Sequence, residues 1–235
     1  MGLILQMMRW IKSVFSRRFY FFKFLLPSCP ISRQFGSERG TPIDRYYIDR
    51  FMACHRHDIH GDVLEIGSPA YGPRFGKEVK TMTILHYEKK DSPSTIWGDL
   101  ERHETLPRDG FDCFICPQTF QYIYDFERGI RGAYQMLKEG GVLLATLPAV
   151  SQTSVAKTES WKEYWRFRQD SVVRGFSNVF GASNILVNSY GNVMVGTCFL
   201  YGFSLEEIPK ANLEDYDPDY PFLFTVRAIK RTRTS

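Results

Sequence analysis

At 235 residues, 43% of them hydrophobic and 24% charged, the chain is long enough for a sizeable buried core and too apolar for disorder. Its net charge of +4 is unevenly spread: residues 1–27 hold five basic side chains and no acid, and residues 227–235 hold four basic and no acid. The remainder, residues 28–226, is left at −5, and an acidic body with basic ends excludes a basic groove for nucleic acid.

In residues 1–27, charges interrupt the Phe, Leu, Ile and Met too often for the ~18 apolar residues of a spanning helix. At helical spacing Gln6, Arg9, Lys12, Ser16 and Arg17 gather on one arc, opposite Met7, Trp10, Ile11, Val14 and Phe15. This pattern predicts a basic amphipathic helical extension in peripheral contact with the inner face of a membrane, on an otherwise cytoplasmic protein. Lys23 breaks the apolar stretch that a lipoprotein leader would need before Cys29, and Gln6 stands where myristoylation needs Ser or Thr. Five cysteines without framework spacing suit a reduced compartment.

Residues 28–41, rich in Pro, Gly and Ser, read as a linker to a domain spanning 42–230, with a basic tail at 231–235. Thr41-Pro42-Ile43-Asp44 opens a helix expected to run to about His57. Strands are predicted at 62–66, 83–87, 94–97, 112–116, 141–147, 185–190 and 222–229. Helices are predicted near 74–79, 126–138, 159–180 and 193–207. This alternation argues for α/β architecture: a three-layer, doubly wound, mostly parallel sheet.

Two motifs invite chemistry and do not support it. Cys113 and Cys116 lie on a strand, where positions three apart face opposite ways, so a redox pair is not expected. Cys54, His55, His57 and His60 precede the first strand, away from the ligand-binding ends, and read as a solvated helix end; no metal is expected.

The informative segment is Gly61-Asp-Val-Leu-Glu-Ile-Gly67, an apolar strand closing in an acid two residues before a glycine. In open α/β sheets ligands bind beyond the carboxyl ends of the strands, where Gly67 lets backbone come close. Gly67-Ser-Pro-Ala-Tyr-Gly72 satisfies neither the G-x-G-x-x-G fingerprint nor, with Pro73-Arg74 following, a phosphate loop. The second strand leads to another acid, Glu88, which is placed to accept ribose hydroxyls; a third, Asp99, follows the next short strand.

In this order, Val63-Leu-Glu-Ile-Gly67, Glu88, Asp99-Leu100, Leu106-Pro107, Phe111-Asp112 and Leu137-Lys-Glu-Gly-Gly-Val-Leu-Leu144 resemble the class I S-adenosylmethionine-dependent methyltransferases, in their type 11-like small-molecule branch. The resemblance runs from about residue 42 to 150 and implies a Rossmann-like fold of seven strands with the last antiparallel. It implies S-adenosyl-L-methionine as cofactor, with Glu65, Gly67 and Ser68 at its methionine part and Glu88 at the ribose. Asp99 and Leu100 would meet the adenine, and Gln118 would lie beneath the sulfonium. The acceptor implied is a small molecule or a carbohydrate-like compound, with Tyr46, Tyr122, Tyr164, Arg166 and Asn192 as substrate candidates. The departure from the family's further glycines, at Ser68-Pro-Ala-Tyr71, keeps a non-catalytic binding or scaffold protein of the same fold as the alternative.

Overall fold

A computed structural model of the chain describes residues 28–87, 95–154 and 162–231. The expected amphipathic segment 1–27 and the side chain of Glu88 lie outside these residues. Seven strands form one sheet: β1 (Gly61–Ile66), β2 (Val79–His86), β3 (Thr95–Trp97), β4 (Phe111–Pro117), β5 (Leu137–Pro148), β6 (Ile185–Tyr190) and β7 (Leu223–Ile229). Their order is β3-β2-β1-β4-β5-β7-β6. β1 to β5 pair parallel, whereas β7 is antiparallel to both β5 and β6. The chain thus winds outward from β1 in one direction, then from β4 in the other, which sets a topological switch point between them.

Alternation along the strands feeds two cores. On one face Phe114, Cys116, Leu143 and Val226 pack with Ile130 and Met136 of α3 (Phe126–Met136) and Phe176 and Phe180 of α4 (Gln169–Phe180). On the other, Val63, Cys113, Ile115 and Leu144 pack with Ile43, Ile48 and Phe51 of α1 (Ile43–Cys54) and with Val195 and Phe199 of α5 (Val193–Tyr201). Each fully buried side chain of this kind contributes about 1.5–3 kcal/mol, so the sandwich of helix, sheet and helix is the expected solution for strands apolar on both faces. Cys113 and Cys116 lie in different cores, and burial pushes the Cys116 thiol up to about 12.

Several elements differ from their predicted bounds. A predicted helix at 74–79 is the single turn α2 (Gly72–Phe75), started by Pro73 and ended at Gly76, so β2 begins as early as Val79. The helix predicted over 193–207 stops at Tyr201 because Gly202 turns into the left-handed region, and a short α6 (Lys210–Glu214) follows that sequence periodicity does not announce. The helix predicted from 159 starts only at Gln169. Before it, the backbone of Tyr164 and Phe167 donates to the carbonyls of Gln121 and Pro148 (2.7 and 2.9 Å), so residues 162–168 form an extended strap.

Residues 28–41, expected as a linker, contain neither helix nor strand but are fastened to the domain. Ile31 and Ser32 donate backbone bonds to the Tyr201 carbonyl (2.8 and 3.2 Å), and Arg39 pairs with Glu207. Phe35 stacks on Phe199 with ring centroids 5.2 Å apart. Among the described residues no helix is long and apolar enough to cross a membrane.

Candidate functional site

Glu65 closes β1 with 1% of its surface exposed. Its Oε1 accepts from the backbone of Ala70 and Tyr71, and its Oε2 from Gly72, each at 2.9 Å. These amides lead into α2 and would otherwise be unpaired donors at a helix start. Burial pushes the Glu65 carboxyl above its ordinary value, opposed by the three N–H groups that hold it. With its oxygens turned to the backbone, Glu65 lines no cavity. The expectation that it meets a cofactor directly is corrected: it builds the loop that does.

That loop leaves Gly67 at the end of β1 with φ +79°, a conformation L side chains rarely adopt, and a methyl group added there would meet nothing within 4 Å. The space it faces is a cavity of about 670 Å³, within the range of ligand and cofactor sites. Its wall follows the carboxyl ends of the strands around the switch point: Ile66-Gly67, Leu85–Tyr87, Gly98–Glu101 and Pro117–Thr119. Asp99 and Leu100 stand on the loop after β3. Asp99 Oδ1 accepts from the Glu101 amide at 2.9 Å, while Oδ2 lies 3.8 Å from Arg102 Nε.

Gln118 follows β4 with φ +47°, and its amide donates to the Thr146 carbonyl at 2.9 Å. A non-glycine residue held there costs on the order of 1 kcal/mol, a strain of the kind that clusters at functional sites. Gln118 and Tyr122 line this cavity and also a second one of about 130 Å³. Burial pushes the Tyr122 phenol up, with Ser154 pulling it back through a hydrogen bond. The strap closes the outer side of the first cavity with Lys162 and Tyr164, and Trp165 Nε1 ties it down through the Ile123 carbonyl at 2.9 Å.

Of the predicted residues, Gly67, Asp99, Leu100, Gln118, Tyr122 and Tyr164 converge on the first cavity. Four others do not line either cavity. Ser68 is exposed on the loop, and the Tyr46 hydroxyl accepts from Arg50 at 2.7 Å on the outer side of α1. Arg166 is spent bracing the strap against Ser151, Gln152 and Glu163. Asn192 caps α5 through the Val195 amide at 3.0 Å and donates to the carbonyls of Asn212 and Asp215 at 2.8 Å each.

His86, Tyr87, Glu101, Thr119 and Lys162 line the cavity without having been singled out from sequence; for His86 and Tyr87 the signal was their place at the end of β2. In the Cys54–His60 segment, His55 Nδ1 lies 3.5 Å from Asp58. Against the cost of burial, Arg227 and His55 hold that carboxyl below its usual range. Among the described residues no cluster of His, Cys, Asp and Glu is arranged to hold a metal ion.

A seven-stranded sheet of this order, with a cavity over its β1/β4 switch and a glycine and an acid in its wall, defines the fold of a class I methyltransferase. Residues 71–145 match the model of a methyltransferase domain. Two solved structures illustrate the likeness. The [4+2]-cyclase SpnF has a TM-score of 0.50 and 15% identity, over 87% of this chain and 88% of its own. The 1,6-didemethyltoxoflavin-N1-methyltransferase of Burkholderia thailandensis, solved with 1,6-didemethyltoxoflavin and S-adenosylhomocysteine, has a TM-score of 0.50 and 10% identity, over 80% of each chain. No curated protein matches the chain. By fold and domain match the chain is placed among the class I S-adenosylmethionine-dependent methyltransferases.

Glu65→Gln puts an NH₂ group against one of three backbone donors. It is expected to destabilise the fold by about 2 kcal/mol and to speed hydrogen exchange at Ala70–Gly72. Urea unfolding with amide exchange checks this, and unchanged exchange at those amides would remove Glu65 from its assigned role.

Proposed function

We propose that the protein binds S-adenosylmethionine in the first cavity and directs methyl transfer to a small-molecule or glycan-type acceptor. The observation that carries the reading is the cavity of about 670 Å³ at the switch point, with Gly67 open at its floor and Asp99 in its wall. The residues present fit that cofactor. Gly67 allows close backbone approach, Asp99 keeps a carboxylate oxygen for a donor such as an amino group, and Leu100 offers an apolar surface.

When bound, S-adenosylmethionine supplies an electrophilic methyl group on a sulfonium. What the protein adds is placement and exclusion of water. Gln118 and Tyr122 stand where the two cavities share a wall, so a group in the second cavity is held next to the first. The strap at 162–168, pinned at Gln121, Ile123 and Pro148, shields that wall from solvent. Because a cyclase shares the fold, fold likeness alone does not select methyl transfer; the domain match over residues 71–145 favours it.

Isothermal titration is expected to show binding of S-adenosylmethionine and S-adenosylhomocysteine and none of nicotinamide dinucleotide. Asp99→Ala should weaken both by roughly tenfold, the worth of one charge-assisted hydrogen bond. Absence of binding by either sulfur compound would overturn the reading.

The basic amphipathic pattern of residues 1–27 supports a second proposal, peripheral contact with an anionic membrane from the cytoplasmic side. Full-length protein is expected to sediment with phosphatidylglycerol-containing liposomes, and protein lacking residues 1–27 to remain in the supernatant with cofactor affinity intact. Equal sedimentation of the two would refute membrane contact through this segment.

A further inference from the structure

The second cavity has a chemical character of its own. Two of its lining side chains carry buried oxygens without a hydrogen-bond partner among the described residues: Asp44 Oδ1 and Gln121 Oε1. Asp44 is 8% exposed and Gln121 4%, so bulk water does not satisfy them. A buried unpaired acceptor costs about 1–3 kcal/mol, and two lining one cavity are a cost that a bound donor would remove. The Gln121 amide has a defined orientation. Its Nε2 donates to the Gln118 carbonyl at 2.9 Å, which leaves Oε1 for another partner.

The opposite wall is aromatic. Phe35, Phe199 and Phe222 line the cavity, with Phe35 stacked on Phe199 at 5.2 Å and Phe199 edge-on to Phe222 at 4.9 Å. The segment that brings Phe35 is the one expected to be a linker, so its docking completes this cavity. At about 130 Å³ the space suits one ring, close to the 150 Å³ of an engineered cavity that takes benzene.

Charge separates the two classes of donor that would fit. Asp44 Oδ1 lies 3.9 Å from Arg45 Nε, and Glu163, the cavity's other acid, pairs with Arg166 at 3.1 Å. Each acid is thus balanced by its own guanidinium, and no net negative charge remains to hold an ammonium ion. Burial also pushes the Asp44 carboxyl above its ordinary value, which weakens any hold on a cation. A ring with an apolar face and a neutral hydroxyl edge matches both walls.

We infer that the second cavity is an acceptor subsite for a single sugar-like ring. Its hydroxyl groups donate to Asp44 Oδ1 and Gln121 Oε1 while its apolar face packs on Phe35, Phe199 and Phe222. The assignment rests on the methyl-transfer reading for its role as acceptor, but not for the binding itself.

Saturation-transfer NMR on the full chain with S-adenosylhomocysteine present tests it. The probes are the methyl α- and β-glycosides of glucose, galactose and mannose, with cyclohexylamine as the ammonium arm. At least one glycoside is expected to receive saturation at its ring protons, with cyclohexylamine receiving none. Asp44→Asn, which replaces a charged acceptor by a neutral one, should weaken the glycoside roughly fivefold. Val150→Phe, at a position lining only this cavity of the two, should abolish the signal. Both variants should bind S-adenosylhomocysteine within twofold of the parent chain.

A protein that binds S-adenosylhomocysteine and none of the glycosides, or that binds cyclohexylamine in their place, overturns the subsite. Glycoside binding that survives both substitutions unchanged overturns its location. Glycoside binding without S-adenosylhomocysteine binding upholds the subsite and fails the methyl-transfer reading alone.

Discussion

Three backbone amides converging on one buried carboxylate set the geometry on which the site depends. The chain leaves β1 at Ile66 and must turn toward α2 within a few residues, through a loop containing a proline and a tyrosine. Glu65 gathers the amides of Ala70, Tyr71 and Gly72 and thereby fixes the path of that turn from inside the protein. The start of α2 is thus occupied by the protein's own carboxylate, and the cavity floor is left to Gly67, whose backbone conformation and missing side chain keep it open. The loop is held by a carboxylate where relatives of the fold use further glycines.

From that turn the rest of the site follows by topology. Parallel strands running outward from β1 and β4 leave a crevice above their carboxyl ends, and the loops after β2, β3 and β4 wall it. The loop after β4 does double service. Its strained Gln118 is anchored to Thr146 of β5, and the turn behind it carries Gln121 and Tyr122 to the border with the second cavity. The strap at 162–168 spends backbone donors on that same turn and on the end of β5, which joins both cavities under one cover.

Much of this was readable from the residues. All seven strands, their largely parallel pairing and the antiparallel last strand follow from alternating apolar runs and helices, since strands buried on both faces leave an unmistakable pattern. Gly67, Asp99, Leu100 and Gln118 were legible because their spacing ties them to strand ends. Glu65 was misread, since an acid before a glycine looks the same in sequence whether its oxygens meet a ligand or the backbone. Asn192 and Arg166 were misread for that reason too: both are consumed by nearby carbonyls or amides. Asp44 read as part of a helix start, and only packing against Gln121, Phe35 and Phe222 around a common space gives it another meaning. The strap read as helix because its aromatic spacing is helical, whereas its hydrogen bonds are made to distant segments.

The central claim is that Glu65 holds the loop while Gly67 and Asp99 face the ligand, and a crystal structure with S-adenosylhomocysteine tests it most directly. The account predicts density for the ligand against Gly67 and Asp99, with both Glu65 oxygens still bonded to the amides of Ala70–Gly72. Density in contact with a Glu65 carboxylate released from those amides would contradict it.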